Sequence, residues 1–188
     1  MIIPIVAYGT KVLKQKAEDI SSDYPNLEQL IDDMFETMYE ASGVGLAAPQ
    51  IGRSIRLFIV DGSPFADEDA DMEGFRKVFI NPQIVEESGE EWNFNEGCLS
   101  IPSIREDVSR LSRVRIRYQD QDFNTIEEEY DGTKARIIQH EYDHIEGVLF
   151  TDYLSAIKKR LLKRKLNDIS KGNVKVDYRM KFPLKKGR

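Results

Sequence analysis

Two histidines four residues apart are the side chains in this sequence best suited to metal chemistry. His140 and His144 are the only histidines among 188 residues, and Glu141 makes the segment read H-E-x-x-H. On a helix, residues at this spacing lie one turn apart on the same face, so both imidazoles can bind one metal ion. The glutamate beside them is placed to act as a general base. The pattern therefore predicts a metal-binding helix.

A catalytic metal usually takes three protein ligands and one water, so the two histidines need a third partner. The chain has no third histidine, which excludes a three-histidine site. Two other residues compete for this position. Asp168 lies downstream, in a basic segment where an exposed surface position explains it better. Cys98 is the only cysteine, and its thiolate is a strong ligand for a divalent cation.

The elements that must position these residues predict an α+β fold. We expect a central metal-binding helix packed among antiparallel and mixed β-sheets, with an additional N-terminal helix and a C-terminal helix. Apolar residues spaced by three and four predict helices at 26–41, 133–145 and 155–169. Short apolar or alternating runs predict strands at 56–60, 77–86, 91–94, 114–118 and 125–130.

Several connecting segments carry no regular pattern. Residues 43–52 are small and punctuated by glycine, which predicts an irregular segment. Cys98 and Arg105 are expected in a loop, and residues 61–75 read as an acidic insertion without a catalytic part. The apolar face of the C-terminal helix is predicted to consist of Leu154, Ile157, Leu161 and Leu162. The sequence leaves the order of the tail from residue 173 open.

Length and composition predict a single domain spanning residues 1–188. Hydrophobic residues make up 40% of the chain and charged residues 32%, which is typical of a globular protein. No apolar run approaches the ~18 residues of a membrane helix, and the N-terminus lacks the features of a signal peptide. A single cysteine excludes an intrachain disulfide. We therefore expect a cytoplasmic protein that does not bind a membrane.

Positive charge is concentrated in the C-terminal helix and tail, from about residue 155. This segment holds 13 of the 27 Lys and Arg residues but only two of the 33 Asp and Glu residues, so its net charge is +11. Such asymmetry is typical of a segment that meets an acidic partner. The alternative from composition alone is a solvated helix face.

Three segments resemble the signature motifs of the peptide deformylase family. Residues 43–50 (GVGLAAPQ) resemble its G-x-G-L-A-A-x-Q motif, residues 96–100 (EGCLS) its E-G-C-L-S motif, and residues 139–144 (QHEYDH) its Q-H-E-x-D-H motif. Their order and spacing also agree, and the resemblance covers about residues 25–165. It implies an enzyme that removes the N-formyl group from the initiator methionine of nascent polypeptides and releases formate.

The resemblance implies a role for each motif in this hydrolysis. Cys98, His140 and His144 would bind one divalent metal, with Fe(II) as the native ion and Zn, Ni or Co as alternatives. Glu141 would take a proton from the attacking water and pass it to the leaving amine. The Gln50 amide and the backbone N–H of Leu99 would stabilise the oxyanion.

The same resemblance suggests how the substrate is held. A peptide lying extended beside Val44 and Gly45 would pair its main chain with theirs, as an added strand. Val44 and Ile137 would line the pocket for the methionine side chain, although a plain core position explains Ile137 nearly as well. Arg105 would contact the substrate. Further residues expected to support the site are Glu96 and Arg110, as an ion pair, and Asp143 as a structural group.

The sequence also yields an expected binding partner, and it leaves two alternative functions open. The basic helix would contact ribosomal RNA phosphates through its lysines and arginines, and no DNA binding is expected. One alternative is a zincin-like endopeptidase, which would tolerate replacement of Cys98. The other is a metal-dependent binding or sensor protein without turnover, for which Glu141 and Gln50 would not be needed.

Overall fold

A long antiparallel hairpin forms much of the fold, and three helices pack around it. The structure is a computed structural model that describes residues 1–184. The helices are α1 (Leu27–Glu40), α2 (Gly132–Ile145) and α3 (Ala156–Ser170). The strands are β1 (Ile5–Val6), β2 (Gly45–Ala47), β3 (Leu57–Asp61), β4 (Arg76–Cys98), β5 (Ile101–Gln119), β6 (Thr125–Asp131) and β7 (Met180–Lys181).

The strands form two sheets of different character. Five of them pair antiparallel in the order β2-β3-β4-β5-β6, and β1 pairs parallel with β7. The chain thus combines segregated helices with antiparallel and parallel pairing. The predicted α+β class is confirmed.

Strand β4 is one continuous element where the sequence predicted two short strands. Asn81 and Pro82 do not end it, because a β-bulge between Ile80 and Gln83 accommodates the missing N–H of the proline. Asn81 adopts a positive φ of 49° and exchanges two hydrogen bonds with the backbone of Ile20. The bulge therefore does not interrupt strand β4, and its Asn81 links the hairpin to the N-terminal segment.

The prediction that Cys98 and Arg105 lie in a loop is wrong. Cys98 is the last residue of β4, and Arg105 lies within β5. The buried residues Ile101, Ile104 and Val108 hold the first half of β5 against α3. A tight connection at residues 99–100 then joins the two strands.

Each helix buries one apolar face. On α1, Leu30, Ile31, Met34 and Met38 pack against Leu46, Leu57 and Ile59 of the sheet. The predicted face of α3 is only partly correct, because Ile157 and Leu161 are 73% and 74% exposed. The helix packs mainly through its C-terminal half, so the buried face consists of Leu162, Leu166 and Ile169, preceded by Leu154.

The irregular segments contain more structure than their composition indicates. Residues 43–52 hold β2 and a 3₁₀ turn at Ala48–Ile51, and residues 61–75 hold two further turns anchored by the buried Met72. Residues 173–184 run back to pair with β1, while 185–188 of the basic tail lie outside the described residues. None of the helices described has the length and apolar character required to cross a membrane.

Candidate metal centre and active site

Three potential ligands converge where α2 passes the end of β4. The ligand atoms of Cys98, His140 and His144 all lie within 4.8 Å of one another. Helical periodicity places the two histidines on one face, and the β4–β5 hairpin brings the cysteine to them. The cluster therefore contains Cys98 and not Asp168.

The donor set fits a divalent metal ion. Cys98 Sγ lies 3.3 Å from His144 Nε2. Tetrahedral bonds of about 2.0 Å to nitrogen and 2.3 Å to sulfur separate two ligand atoms by roughly 3.5 Å, which agrees with this spacing. Burial lowers the pKa of His144 well below its usual value, so the imidazole is held neutral, as a metal ligand must be.

A buried carboxylate orients His140. Glu96 Oε2 lies 2.9 Å from His140 Nδ1, so this nitrogen donates to the carboxylate and Nε2 is the ring nitrogen left for the cluster. Burial alone raises the pKa of Glu96, but hydrogen bonds from His140 and Arg110 outweigh it and hold that pKa well below its usual range. Glu96 is therefore an anion within the protein.

Two arginines neutralise this buried anion. Arg110 donates to Glu96 from Nε at 2.7 Å and from Nη2 at 3.1 Å, and Arg136 donates from Nη1 at 2.8 Å. Arg110 also donates to Asp143 at 2.7 Å, which occupies that carboxylate in the network and keeps it outside the ligand cluster. The expected Glu96–Arg110 ion pair is present.

Arg136 was not identified from the sequence. It is only 1% exposed, donates to the carbonyl oxygens of Val108 and Trp92, and lies over the Trp92 ring at 4.7 Å. The sequence offered one signal for Arg136. It lies four positions before His140, and that spacing places both residues on the same face of α2.

Glu141 lies beside the cluster in an apolar, closely packed position. Its side chain is 4% exposed, and its Oε2 has no hydrogen-bond partner among the described residues. Burial raises the pKa of Glu141 to about 7, where a carboxyl group can both accept and donate a proton. A Cβ on Gly45 would lie 2.7 Å from Glu141 Cγ, so only glycine leaves room for this side chain.

Gln50 and Leu99 flank Cys98. Gln50 is 1% exposed, and its Oε1 accepts from Ala47 N at 2.8 Å, which turns its NH₂ group toward Cys98 Sγ at 3.5 Å. Leu99 directly follows the cysteine, and its carbonyl oxygen accepts from the Tyr178 hydroxyl at 2.7 Å. Two neutral hydrogen-bonding groups thus lie next to the cluster.

A cavity of about 570 Å³ opens onto these residues. Nine of the ten predicted site residues line it, and the tenth, His144, does not. Val44, Gly45 and Ile137 are in the wall, although Ile137 also belongs to the buried core. Arg105 is at the cavity, where Asn95 fixes its guanidinium with a 2.9 Å hydrogen bond.

Other cavity residues were missed. Phe65 comes from the acidic insertion, Phe94 from β4, and Tyr178 with its neighbours from the C-terminal segment. None of them belongs to a motif, although Phe94 lies two residues before the one at 96–100, and only the folded chain brings them to the site.

A buried glutamate that can transfer a proton, beside a ligand cluster that can hold a metal, indicates a hydrolase. The polypeptide deformylase family model matches residues 2–160. The peptide deformylase of Christiangramia forsetii is 58% identical over 196 residues, covering 100% of both chains.

Solved structures agree with this relationship. A peptide deformylase from Legionella pneumophila has a TM-score of 0.80 and 37% identity, covering 92% of this chain and 98% of its own. Peptide deformylase from Thermotoga maritima has a TM-score of 0.74 and 38% identity, covering 82% and 99%. The chain belongs to the polypeptide deformylase family.

Proposed function

We propose that this enzyme removes the N-formyl group from the initiator methionine of nascent polypeptides in a metal-dependent hydrolysis that releases formate. The observation that carries the proposal is the convergence of Cys98, His140 and His144 beside Glu141 in one cavity. Membership of the family supplies the class of reaction.

The metal ligands are Cys98, His140 and His144, with Fe(II) as the native ion. Zn, Ni or Co suit the same sulfur and nitrogen donors, and metal availability selects among them as much as affinity does. A divalent metal supplies Lewis acidity there, which brings the pKa of a water toward about 7. Glu96 supports the ligand set because it fixes the orientation of His140.

Glu141 acts as the general base and then as the general acid. It takes a proton from the attacking water, whose oxygen adds to the formyl carbon. The C–N bond then breaks, formate leaves, and Glu141 returns the proton to the methionine amine. Its buried position and a pKa of about 7 suit both transfers.

Gln50 and Leu99 stabilise the negative charge that develops on the formyl oxygen. The Gln50 side-chain NH₂ and the Leu99 backbone N–H are the two donors. Hydrogen bonds hold the Gln50 amide and the Leu99 carbonyl before the substrate arrives, and donors fixed in advance are the effective ones.

The substrate peptide binds as an extended strand along Val44 and Gly45. Strand β2 is at the edge of the five-stranded order, so one side of its backbone faces away from β3. The methionine side chain enters the apolar wall that Val44 and Ile137 form, and Arg105 contacts the peptide at the cavity.

The charge pattern supports a proposal for the location of the protein and for its binding partner. Residues 1–188 form one cytoplasmic domain whose basic α3 docks on ribosomal RNA. Lys159, Arg160, Lys163 and Arg164 are exposed on that helix, whereas Lys158 is paired with Glu106 at 2.7 Å. Lys165 is exposed on the same helix, and these five exposed cations suit a phosphate-rich surface.

The decisive experiment measures formate release from formyl-Met-Ala-Ser under anaerobic conditions. The parent is reconstituted separately with Fe(II), Zn, Ni and Co, and Glu141→Gln is compared in the same metal forms. We expect turnover by the parent and metal binding without turnover by Glu141→Gln. Absence of turnover in every metal form rejects the proposed reaction, and an active Glu141→Gln rejects the base.

Replacing Cys98 separates this reaction from that of a zincin-like endopeptidase. Cys98→Ala should lose the metal and with it formate release. Retained metal, together with cleavage of internal peptide bonds, would support the endopeptidase instead.

A further inference from the structure

A segment near the C-terminus crosses the molecule and reaches the active-site cavity. We call residues 173–181 the C-terminal strap. Its end, β7, pairs parallel with β1, where Ile5 N donates to Arg179 O and Ala7 N donates to Lys181 O, both at 2.9 Å. The strap lies beyond residue 160, where the match to the family model ends.

Four consecutive strap residues line the cavity. They are Lys175, Val176, Asp177 and Tyr178. Exposed and half-buried residues alternate along this part of the strap, so Val176 and Tyr178 face inward while Lys175 and Asp177 face solvent. The strap therefore supplies a wall of the cavity that the three motifs do not contain.

Tyr178 joins the strap to the residue that follows Cys98. Its hydroxyl donates to Leu99 O at 2.7 Å, and its ring packs in the same apolar cluster as Leu99. The hydroxyl bond to the carbonyl, together with the packing of both side chains against one core cluster, restricts rotation about the Leu99 backbone.

The same short connection is held from a second direction. Tyr8 N donates to Ser100 O at 2.8 Å, and Tyr8 follows Ala7, whose N–H donates to Lys181 O of the strap. The strap thus anchors the 99–100 connection both through Tyr178 and through the strand to which it is bonded.

The orientation of the Leu99 backbone is important for catalysis. Its N–H is the proposed oxyanion donor, and such a donor stabilises a transition state only when it already points at the developing charge. We propose that the C-terminal strap completes the active site and that Tyr178 is a positioning residue, which fixes the Leu99 N–H for the oxyanion. This inference rests on the proposed deformylation.

Replacing Tyr178 by phenylalanine tests the inference, because Tyr178→Phe removes the hydroxyl and keeps the ring. Formate release from formyl-Met-Ala-Ser is measured per bound metal ion, with kcat and KM determined separately. We expect kcat to fall about five- to tenfold, the value of one lost hydrogen bond, while KM stays near that of the parent.

Tyr118→Phe is the matched control. Tyr118 is buried away from the cavity, and its hydroxyl donates to Glu128 at 2.6 Å, so the change removes a comparable hydrogen bond. It should lower the melting temperature and leave kcat unchanged. Similar losses of kcat in both variants would show a general structural effect and overturn the positioning role.

Hydrogen exchange gives a second, independent measurement. The backbone amides of residues 97–101 should exchange faster in Tyr178→Phe than in the parent, and at the parent rate in Tyr118→Phe. Unchanged exchange with unchanged kcat overturns the inference, as does a rise in KM alone or a loss of activity explained entirely by lost metal. An inactive parent would instead reject the proposed function.

Discussion

Glu96 Oε2 lies 2.9 Å from Nδ1 of His140, although 44 residues separate them in the chain. The carboxylate fixes the ring orientation and directs the other nitrogen toward Cys98 and His144. Arg110 and Arg136 balance its charge, so the Cys98, His140 and His144 cluster rests on a buried ionic network.

Replacing Glu96 by glutamine should weaken metal binding. The amide lacks the charge that holds His140 and leaves the buried Arg136 without its counterion, whereas Arg110 keeps Asp143. We expect metal affinity to fall about 10–100-fold and stability to fall by about 3–5 kcal/mol. Competition with a chelator measures the first and urea denaturation the second.

Glu86→Gln is the control for that change. Glu86 pairs with Arg115 on the exposed part of the hairpin, where an ion pair contributes little. Metal affinity equal to the parent is expected for this variant. Equal metal affinity for Glu96→Gln as well would show that Glu96 does not support the ligand set.

Alanine at residue 45 should disturb the proposed base without removing the ligands. The new Cβ would lie 2.7 Å from Cγ of Glu141, so that side chain must move. We expect metal content to be kept while kcat falls at least about tenfold, since a misplaced general base loses much of its contribution. Metal analysis and formate release measure the two quantities.

The comparison for this variant is Gly74→Ala. Gly74 has a φ of +68° but no atom within 4 Å of an added Cβ, so the change tests backbone strain alone. Parent kcat is expected there. An active Gly45→Ala protein would show that the Glu141 position tolerates displacement.

Acid stability should depend on Glu128. Burial raises its pKa, but hydrogen bonds from Tyr118, Tyr130 and Lys77 outweigh burial and bring the pKa below its ordinary 4.5. Because the folded pKa is the lower one, the stabilisation is present above pH 4.5 and is lost as pH falls through the folded value.

Glu128→Gln should therefore be less stable than the parent at pH 7. The difference is about 0.5–1 kcal/mol, since the side chain is partly exposed and solvent screens its interactions. This difference in unfolding free energy should shrink toward zero once the pH falls below the folded pKa of Glu128. Denaturant titrations at several pH values measure it. Glu129→Gln, an exposed position on the same strand, should match the parent, and a constant difference across pH would contradict the linkage.

The basic face of α3 should govern affinity for ribosomes. Changing Arg160, Lys163 and Arg164 to glutamine removes three exposed cations. If each contacts one phosphate, the slope of log Kd against log salt should decrease by roughly 2. Ribosome sedimentation at several KCl concentrations measures the slope.

The control replaces three exposed cations elsewhere, Lys11, Arg53 and Arg113, by glutamine. Both variants should keep the parent kcat on formyl-Met-Ala-Ser, because neither set touches the cavity. Equal salt slopes for the two variants would mean that net charge, and not α3, determines binding.

Local patterns were enough to predict much of this site. Helical spacing placed His140, Glu141 and His144 together, and the scarcity of soft ligands singled out Cys98. The long hairpin escaped the same reasoning. Much of β4 is exposed or half-buried, so it carries little apolar alternation, and pairing with β5 holds it instead.

The sequence by itself therefore determined which residue types were present, their helical spacing, the three motifs and the α+β class. Tertiary structure alone decided the contact of Glu96 with Arg136, 40 residues away, and of Tyr178 with Leu99, 79 residues away. Such contacts depend on strand register, on bulges and on the return of the C-terminal strap to β1. The strand periodicity of two residues and the helix periodicity of 3.6 residues determine on which face a side chain lies. They do not determine which distant segment that side chain contacts.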